Sequence, residues 1–206
     1  MDEKFEHIIK SAENLFKRYS IRSVSMEDVA KELGISKKTL YHFVCNKSEL
    51  IQKIMDYELK KVEEIAQNAI NKKYNAIDTL LEISRDMGVY HKDANPSVEY
   101  DLMKYYPELY TSFKAERDKM VLKYLKENIK QGIGEGYYRS NLDADLIASL
   151  YIKKIESIID PDFFNKPKFS FTKVFKVMFE NHIRGIANEK GIAYFEQQKE
   201  SSKFKF

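Results

Sequence analysis

SMEDVAKELGISKKTLYHFVCNKSEL, residues Ser25 to Leu50, is the stretch that settles the fold. Ser25 can cap a helix by accepting from the backbone N–H near Asp28, whose carboxylate also suits the positive helix start. Met26, Val29, Ala30 and Leu33 then fall on one side. Gly34 follows at once, where a left-handed residue ends a helix without a Cβ penalty. Ser36 offers the next cap, for a short helix running through about Phe43. Two helices joined by a tight turn make a helix-turn-helix, whose crossing needs small residues; Ala30 and Gly34 meet that need. Ile35 and Leu40 point inward and fix the second helix on the first. Lys37, Lys38, Thr39, Tyr41 and His42 are left to project. Such donors and aromatics suit a major groove, where base edges and phosphates are met from one face. Asn46, with Glu49 three places on, has the pattern of a capping box for the next helix. Lys47 sits at that helix start, where ammonium and free backbone N–H groups can hold one phosphate together.

Helical periodicity continues on both sides. Phe5, Ile8, Ile9, Ala12, Leu15, Phe16 and Tyr19 predict a first amphipathic helix, followed by a linker from Ser20 to Val24. After Asn46 a long helix runs through Leu50, Ile54, Val62, Ile65 and Ala69, and another covers Ala76 to about Tyr90. Asn95-Pro96 reads as a cap and first helical position, and Pro107 starts a further helix that Gly132, Gly134 and Gly136 punctuate. Leu142–Ile159 and Phe169–Asn188 complete the set, across a loop bracketed by Pro161 and Pro167. No alternating strand pattern and no internal repeat occurs. The expected class is all-α: an N-terminal three-helix domain followed by a C-terminal helical domain.

Composition narrows the functions. Hydrophobic residues at 43% and charged residues at 33% describe a soluble globular chain rather than a disordered one. No apolar run approaches the roughly 20 residues of a membrane span, and Met1-Asp2-Glu3-Lys4 does not open a secretory signal. Cys45 is the only cysteine, which excludes an intrachain disulfide and a cysteine-based zinc cluster. A reduced, cytoplasmic protein is expected. The net charge of +3 is too small to identify a polyanion partner, so a face must carry that argument. His7, His42, His91 and His182 lack the Glu-x-x-His spacing of di-iron bundles, and no nucleophile elbow or phosphate loop appears. No catalytic residue, metal or cofactor is expected.

The run Gly34-Ile35-Ser36-Lys37-Lys38-Thr39-Leu40-Tyr41-His42-Phe43-Val44-Cys45-Asn46-Lys47-Ser48-Glu49-Leu50 resembles the signature of the TetR family of transcription regulators. Phe16-Lys17-Arg18-Tyr19 and Val24 to Ala30 agree with the family pattern as well. Val44 departs from it, standing where Phe is usual and promising looser packing on the long helix. Lys38 replaces a small residue and adds charge. The resemblance implies base or phosphate contacts from Lys37, Thr39, Tyr41 and His42, and phosphate contacts from Ser25, Tyr41 and Lys47. Ser36 and Lys38 complete the candidate DNA-binding set. It divides the chain into a DNA-binding domain, residues 1–47, and an effector-binding and dimerisation domain, residues 48–206.

The resemblance further implies a homodimer that binds a pseudo-palindromic operator in double-stranded DNA, with release by an unidentified small-molecule effector. The last two helices would then form a four-helix bundle with a second copy. Ile147, Leu150, Tyr151, Ile155 and Ile158 make one apolar stripe there, and Phe171, Phe175, Met178 and His182 lie on another. Met87, Tyr90, His91, Tyr100, Met103, Tyr106, Phe113 and Tyr124 are candidates for an effector pocket, since tyrosine joins an apolar ring to one directional hydroxyl. A solid core is the competing account of that aromatic group. Repression is expected; activation, or action through protein partners without effector control, is the alternative these residues leave open.

Overall fold

Ile8, Ile9, Ala12, Leu15 and Phe16 are buried along one side of α1 (Glu3–Tyr19). Glu3 and Glu6 occupy its first turn and Lys17 and Arg18 its last, signs that complement the helix dipole. The computed structural model describes residues 3–91, 95–159 and 171–200, without the side chains of residues 96, 158, 159, 171, 172 and 200. Among them, α1 is followed by α2 (Met26–Glu32), α3 (Lys37–Tyr41), α4 (Lys47–Asn71), α5 (Ala76–Tyr90), α6 (Pro96–Tyr105), α7 (Pro107–Gly134), α8 (Ala144–Ile159), α9 (Phe171–Ile186) and α10 (Glu189–Glu200). The fold is all-α; the β pairing among the described residues is an isolated bridge between Tyr138 and Ala187. No helix among them is long and apolar enough to cross a membrane. The loop expected between Pro161 and Pro167 lies outside the described residues.

Packing divides the chain into two units. The first holds Met1–Lys61 and Asp93–Glu116. Its core joins α1 to Val29 and Ala30 of α2, Leu40 of α3, Leu50 and Ile51 of α4, and Leu102 of α6. Val44, the residue expected to pack loosely, is 1% exposed in this core. The first turns of α4, all of α6 and the start of α7 thus pack with the helix-turn-helix, although they lie beyond residue 47.

The second unit holds Val62–Lys92 and Arg117–Phe206. Ile77 and Leu81 of α5, Ile129 of α7, Ile183 of α9 and Phe195 of α10 are fully buried in its core. α10 was not anticipated from the sequence. Asn188 caps it, accepting from the Gly191 N–H at 2.9 Å. Its Tyr194 donates to Asp78 of α5 at 2.8 Å and accepts from Asn75, the α5 cap, at 2.8 Å. Burial and the Asp78 carboxylate push the Tyr194 hydroxyl up to about 12. α7 runs past Gly132 because that residue has no side chain: a Cβ there would stand inside the buried Tyr138 ring.

One turn carries strain. Ser20, which ends α1, has φ 68°, in the left-handed region that costs an L-residue about 1–2 kcal/mol. Its N–H bonds the Phe16 carbonyl at 2.9 Å, so the conformation is held by the helix end. Ser20→Gly removes the Cβ conflict but adds freedom to the unfolded chain. A net stabilisation of up to about 1 kcal/mol is expected in denaturant unfolding; a loss of stability would show that the Ser20 side chain earns its place.

Candidate nucleic-acid interface

Reciprocal capping sets the first helix of the motif. The Ser25 N–H donates to Asp28 Oδ2 at 2.7 Å, and the Asp28 N–H donates to Ser25 Oγ at 3.2 Å. The Ser25 hydroxyl, which donates to Asp28 Oδ2 at 2.6 Å, and then the Ser25 N–H hold the Asp28 carboxyl below its ordinary range. Gly34 turns the chain at φ 64°, and the Ile35 N–H returns to the Ala30 carbonyl at 3.0 Å. Ser36 then caps α3, accepting from the Thr39 N–H at 3.0 Å, with the two hydroxyls 2.8 Å apart. Leu40 is fully buried and holds α3 down, while Lys37, Lys38, Thr39, Tyr41 and His42 are exposed. The structure therefore brings these five together on one short element. Ser25 and Ser36 are exposed as well, but their hydroxyls already serve as caps.

α4 starts differently from the expectation. Asn46 does accept from the Glu49 N–H at 2.9 Å, but the Glu49 carboxylate takes the N–H of Cys45, at 2.6 Å, in place of the cap residue's own. Lys47 turns inward. Its ammonium donates to the carbonyls of Ile21 and Val24, each at 2.5 Å, and lies 5.8 Å from the Phe16 ring centroid. Burial pushes its pKa down, against the pull of Asp101 and Asp28. The expectation that Lys47 holds a phosphate is revised accordingly: two of its donors belong to the α1–α2 link.

α6 grips the same link from another side, through residues that sequence reasoning missed. The Arg22 N–H donates to Asp101 at 2.9 Å, Asn95 donates to the Lys17 carbonyl at 2.7 Å, and the Arg22 guanidinium donates to the Tyr105 hydroxyl at 3.1 Å. Asp101 is buried. A buried acid on an otherwise ordinary amphipathic helix was the one available signal.

The family model described as "Bacterial regulatory proteins, tetR family" matches residues 8–54, which span α1 through the start of α4. Residues 8–54 of the chain carry the DNA-binding region of the TetR family. The chain is a DNA-binding transcriptional regulator. The HTH-type transcriptional regulator YvaF of Bacillus subtilis is 24% identical over 168 residues, covering 80% of this chain and 86% of that protein. The HTH-type transcriptional repressor KstR2 of Mycobacterium tuberculosis is 24% identical over 144 residues, covering 68% and 72%. The crystal structure of FadR from Bacillus subtilis in complex with stearoyl-CoA superposes with a TM-score of 0.68 at 18% identity, covering 88% of this chain and 99% of that one. That last likeness is one of fold.

The other sets expected from the resemblance are not all gathered. Tyr100 and Met103 are exposed on α6, and Tyr106 and Phe113 pack on the core of the first unit. Met87, Tyr90, His91 and Tyr124 belong to the second unit. There Tyr90 and His91 meet edge to face at 4.9 Å between centroids.

The dimer stripes also divide. Tyr151, Met178 and His182 are buried in the subunit's own core, and Ile147, Ile155 and Phe175 are half-buried against it. These residues were expected to face a partner; helix faces broad enough to line a core and an interface blur the two in a periodicity count. The side chains of Ile158 and Phe171 lie outside the described residues. The outward apolar residues are Leu146 and Leu150 of α8 and Val177 of α9. Beside them a groove of about 340 Å³ runs between α8 and α9, with Leu150, Lys154, Asn181 and Gly185 on its walls and His182 at its base. Among the described residues the Nε2 of His182 has no hydrogen-bond partner.

Lys47→Met keeps the apolar stem but leaves two carbonyls without their donor. It is expected to cost about 1–2 kcal/mol of stability while leaving the salt dependence of DNA binding unchanged. Lys38→Ala, by contrast, should flatten the slope of log K against log salt by about one unit. A Lys47→Met protein of native stability with a flattened slope would return Lys47 to the DNA. For His182, burial and then the Lys154 charge lower its pKa to about 4. The unfolded chain, near 6.5, binds more protons between those values, so stability rises with pH across that window and falls as pH drops from 6.5 to 4. The shift is worth roughly 3 kcal/mol. Chemical denaturation at pH 4 to 7 should show this slope in the native chain and its loss in His182→Phe. The same slope in both would place the acid sensitivity on other groups.

Proposed function

We propose that this chain is a cytoplasmic repressor, not a catalyst, that binds a pseudo-palindromic operator as a homodimer and leaves it on binding a small effector. The observation that carries the DNA part is the face of α3. Its buried Leu40 fixes a helix whose other positions present Lys37, Lys38, Thr39, Tyr41 and His42 outward. Base edges are read by Thr39, Tyr41 and His42, phosphates are met by Lys38 and the capped starts at Ser25 and Ser36, and Lys37 is placed to reach either. Repression is supported by the name of KstR2. Two reading heads fit one DNA face when they stand about 34–36 Å apart, one helical turn. A ligand that favours another spacing weakens DNA binding by the free energy with which DNA weakens its own.

The partner proposed for the α8–α9 face is a second copy of this chain. Leu150 and Val177, each more than half exposed, stand beside the groove, and a two-fold arrangement lets each copy supply both ridge and groove. For the effector, Met87, Tyr90, His91 and Tyr124 of the second unit are proposed as lining. Acyl-CoA thioesters are the first probes, because FadR of similar fold holds stearoyl-CoA.

DNA upstream of the chain's own gene tests the central proposal in a gel shift. A discrete complex that competes poorly with unrelated DNA is expected, and its absence across the region with an intact fold would argue for action through protein partners. Leu150→Glu and Val177→Lys should give folded monomers that lose specific binding. These outward positions separate assembly from folding better than Phe175, which supports its own core. Sedimentation of intact dimers in both variants would move the interface elsewhere. A ligand at a hundredfold excess over its Kd should stabilise the fold by roughly 2.7 kcal/mol.

A further inference from the structure

A carboxylate stands where the helix-turn-helix turns toward its polyanionic partner. Glu27, in the first turn of α2, is exposed, and its Oε2 lies 3.5 Å from Nζ of Lys37, the first residue of α3. The side chains are 77% and 53% exposed, so the pair adds little to folding. Against DNA, an acidic group set beside phosphates is adverse, because affinity comes from neutralising their charge. Its place in the first turn of α2 suits the positive helix start, as at Asp28, but general attraction to DNA argues against it. Toward DNA, a carboxylate there has one favourable use, which is to accept from an exocyclic amino group on a base edge.

We propose that Glu27 and Lys37 together read one C·G base pair in each half-site. This rests on α2 and α3 being the reading elements. In the major groove a C·G pair presents the cytosine N4 amino donor next to the guanine O6 acceptor, with N7 beyond. Those two groups are joined by a base-pair hydrogen bond, so they stand about 2.9 Å apart. The protein offers an acceptor and a donor 3.5 Å apart, the complementary order at nearly the same spacing. An A·T pair fits less well: the adenine amino group is flanked by its own N7 acceptor, which repels the second carboxylate oxygen. Lys37 also cancels the Glu27 charge, which lets the carboxylate approach without loss to the phosphates. In this arrangement Lys37 serves a base edge, whereas Lys38 remains with the backbone.

The test is selection from randomised duplexes by the full chain and by Glu27→Ala and Glu27→Gln, with sequencing of the bound DNA. The native chain should select a two-fold symmetric motif with a C·G pair at one position of each half-site. Glu27→Ala should lower discrimination at that pair roughly 5- to 100-fold and leave the other positions as they were. Glu27→Gln should move the preference toward A·T, because an amide pairs with adenine N6 and N7. Melting temperatures close to the native value will show that neither variant disturbs the fold. An unchanged motif in Glu27→Ala overturns the proposal, as does uniformly tighter binding to all sequences, which would make Glu27 a mere brake on phosphate attraction. Loss at a pair other than C·G overturns the base assignment. A native chain that selects no motif fails at the earlier step, DNA reading itself, and removes this proposal with it.

Discussion

The Lys47 ammonium is the point on which the reading unit is assembled. Three chain segments that share no regular hydrogen bonding meet there: the end of α1 through Phe16, the α1–α2 link through the Ile21 and Val24 carbonyls, and the start of α4. The Ile21 and Val24 carbonyls of this link have no helix or strand partner of their own. One cation satisfies both of them at once. Burial penalises that charge, and the penalty is visible in a lowered pKa; Asp28 and Asp101 offset part of it. Arginine would not serve equally: its planar fork needs divergent acceptors, whereas an ammonium on a flexible stem can converge on two neighbouring carbonyls. With the link fixed, Ser25 is fixed, and α2 and α3 follow from their own caps.

Seen from this anchor, α6 belongs to the reading unit by chemistry as well as by packing. Asp101 binds the link at Arg22, between the Ile21 and Val24 carbonyls that Lys47 holds, Asn95 binds the end of α1 at Lys17, and Asp101 also favours the nearby Lys47 charge. The α1–α2 link is therefore held between a cation from α4 and an anion from α6. Removing either group strands its own partners, the Ile21 and Val24 carbonyls for Lys47 and the Arg22 N–H for Asp101.

Legibility followed the range of the interactions. The α2–α3 motif was readable because every device in it is local: Ser25 with Asp28, Gly34 with its positive φ, Ser36 with Thr39, and an inward Leu40 four residues on. The helices were readable by periodicity, apart from α10, where Gly191 interrupts the pattern and hides the Asn188 cap. Lys47 was misjudged for a physical reason. From sequence a lysine at a helix start is a surface cation, and only the fold places Ile21 and Val24 carbonyls within its reach. The α6 contacts were invisible for the same reason, with Arg22 and Asp101 far apart in the chain. Tyr151, Met178 and His182 show a further limit: an apolar stripe announces burial without naming what buries it.

His182 brings these strands of argument together. It is buried beneath the α8–α9 groove, 4.4 Å from the Tyr151 ring by centroids, with Nε2 unsatisfied. An apolar residue of that volume would avoid both the desolvation and the unpaired nitrogen. In a bundle helix that has only its own core to fill, such a substitution is favourable, so the imidazole makes sense where a polar group will arrive from outside. Leu150 and Val177 stand exposed beside the same groove, which is an apolar ridge flanking a recess with one buried donor or acceptor at its base. That composition suits an interface more than a wall: the apolar ridge supplies area, and the single nitrogen discriminates among the surfaces that could cover it, because a partner without a matching polar group leaves it stranded.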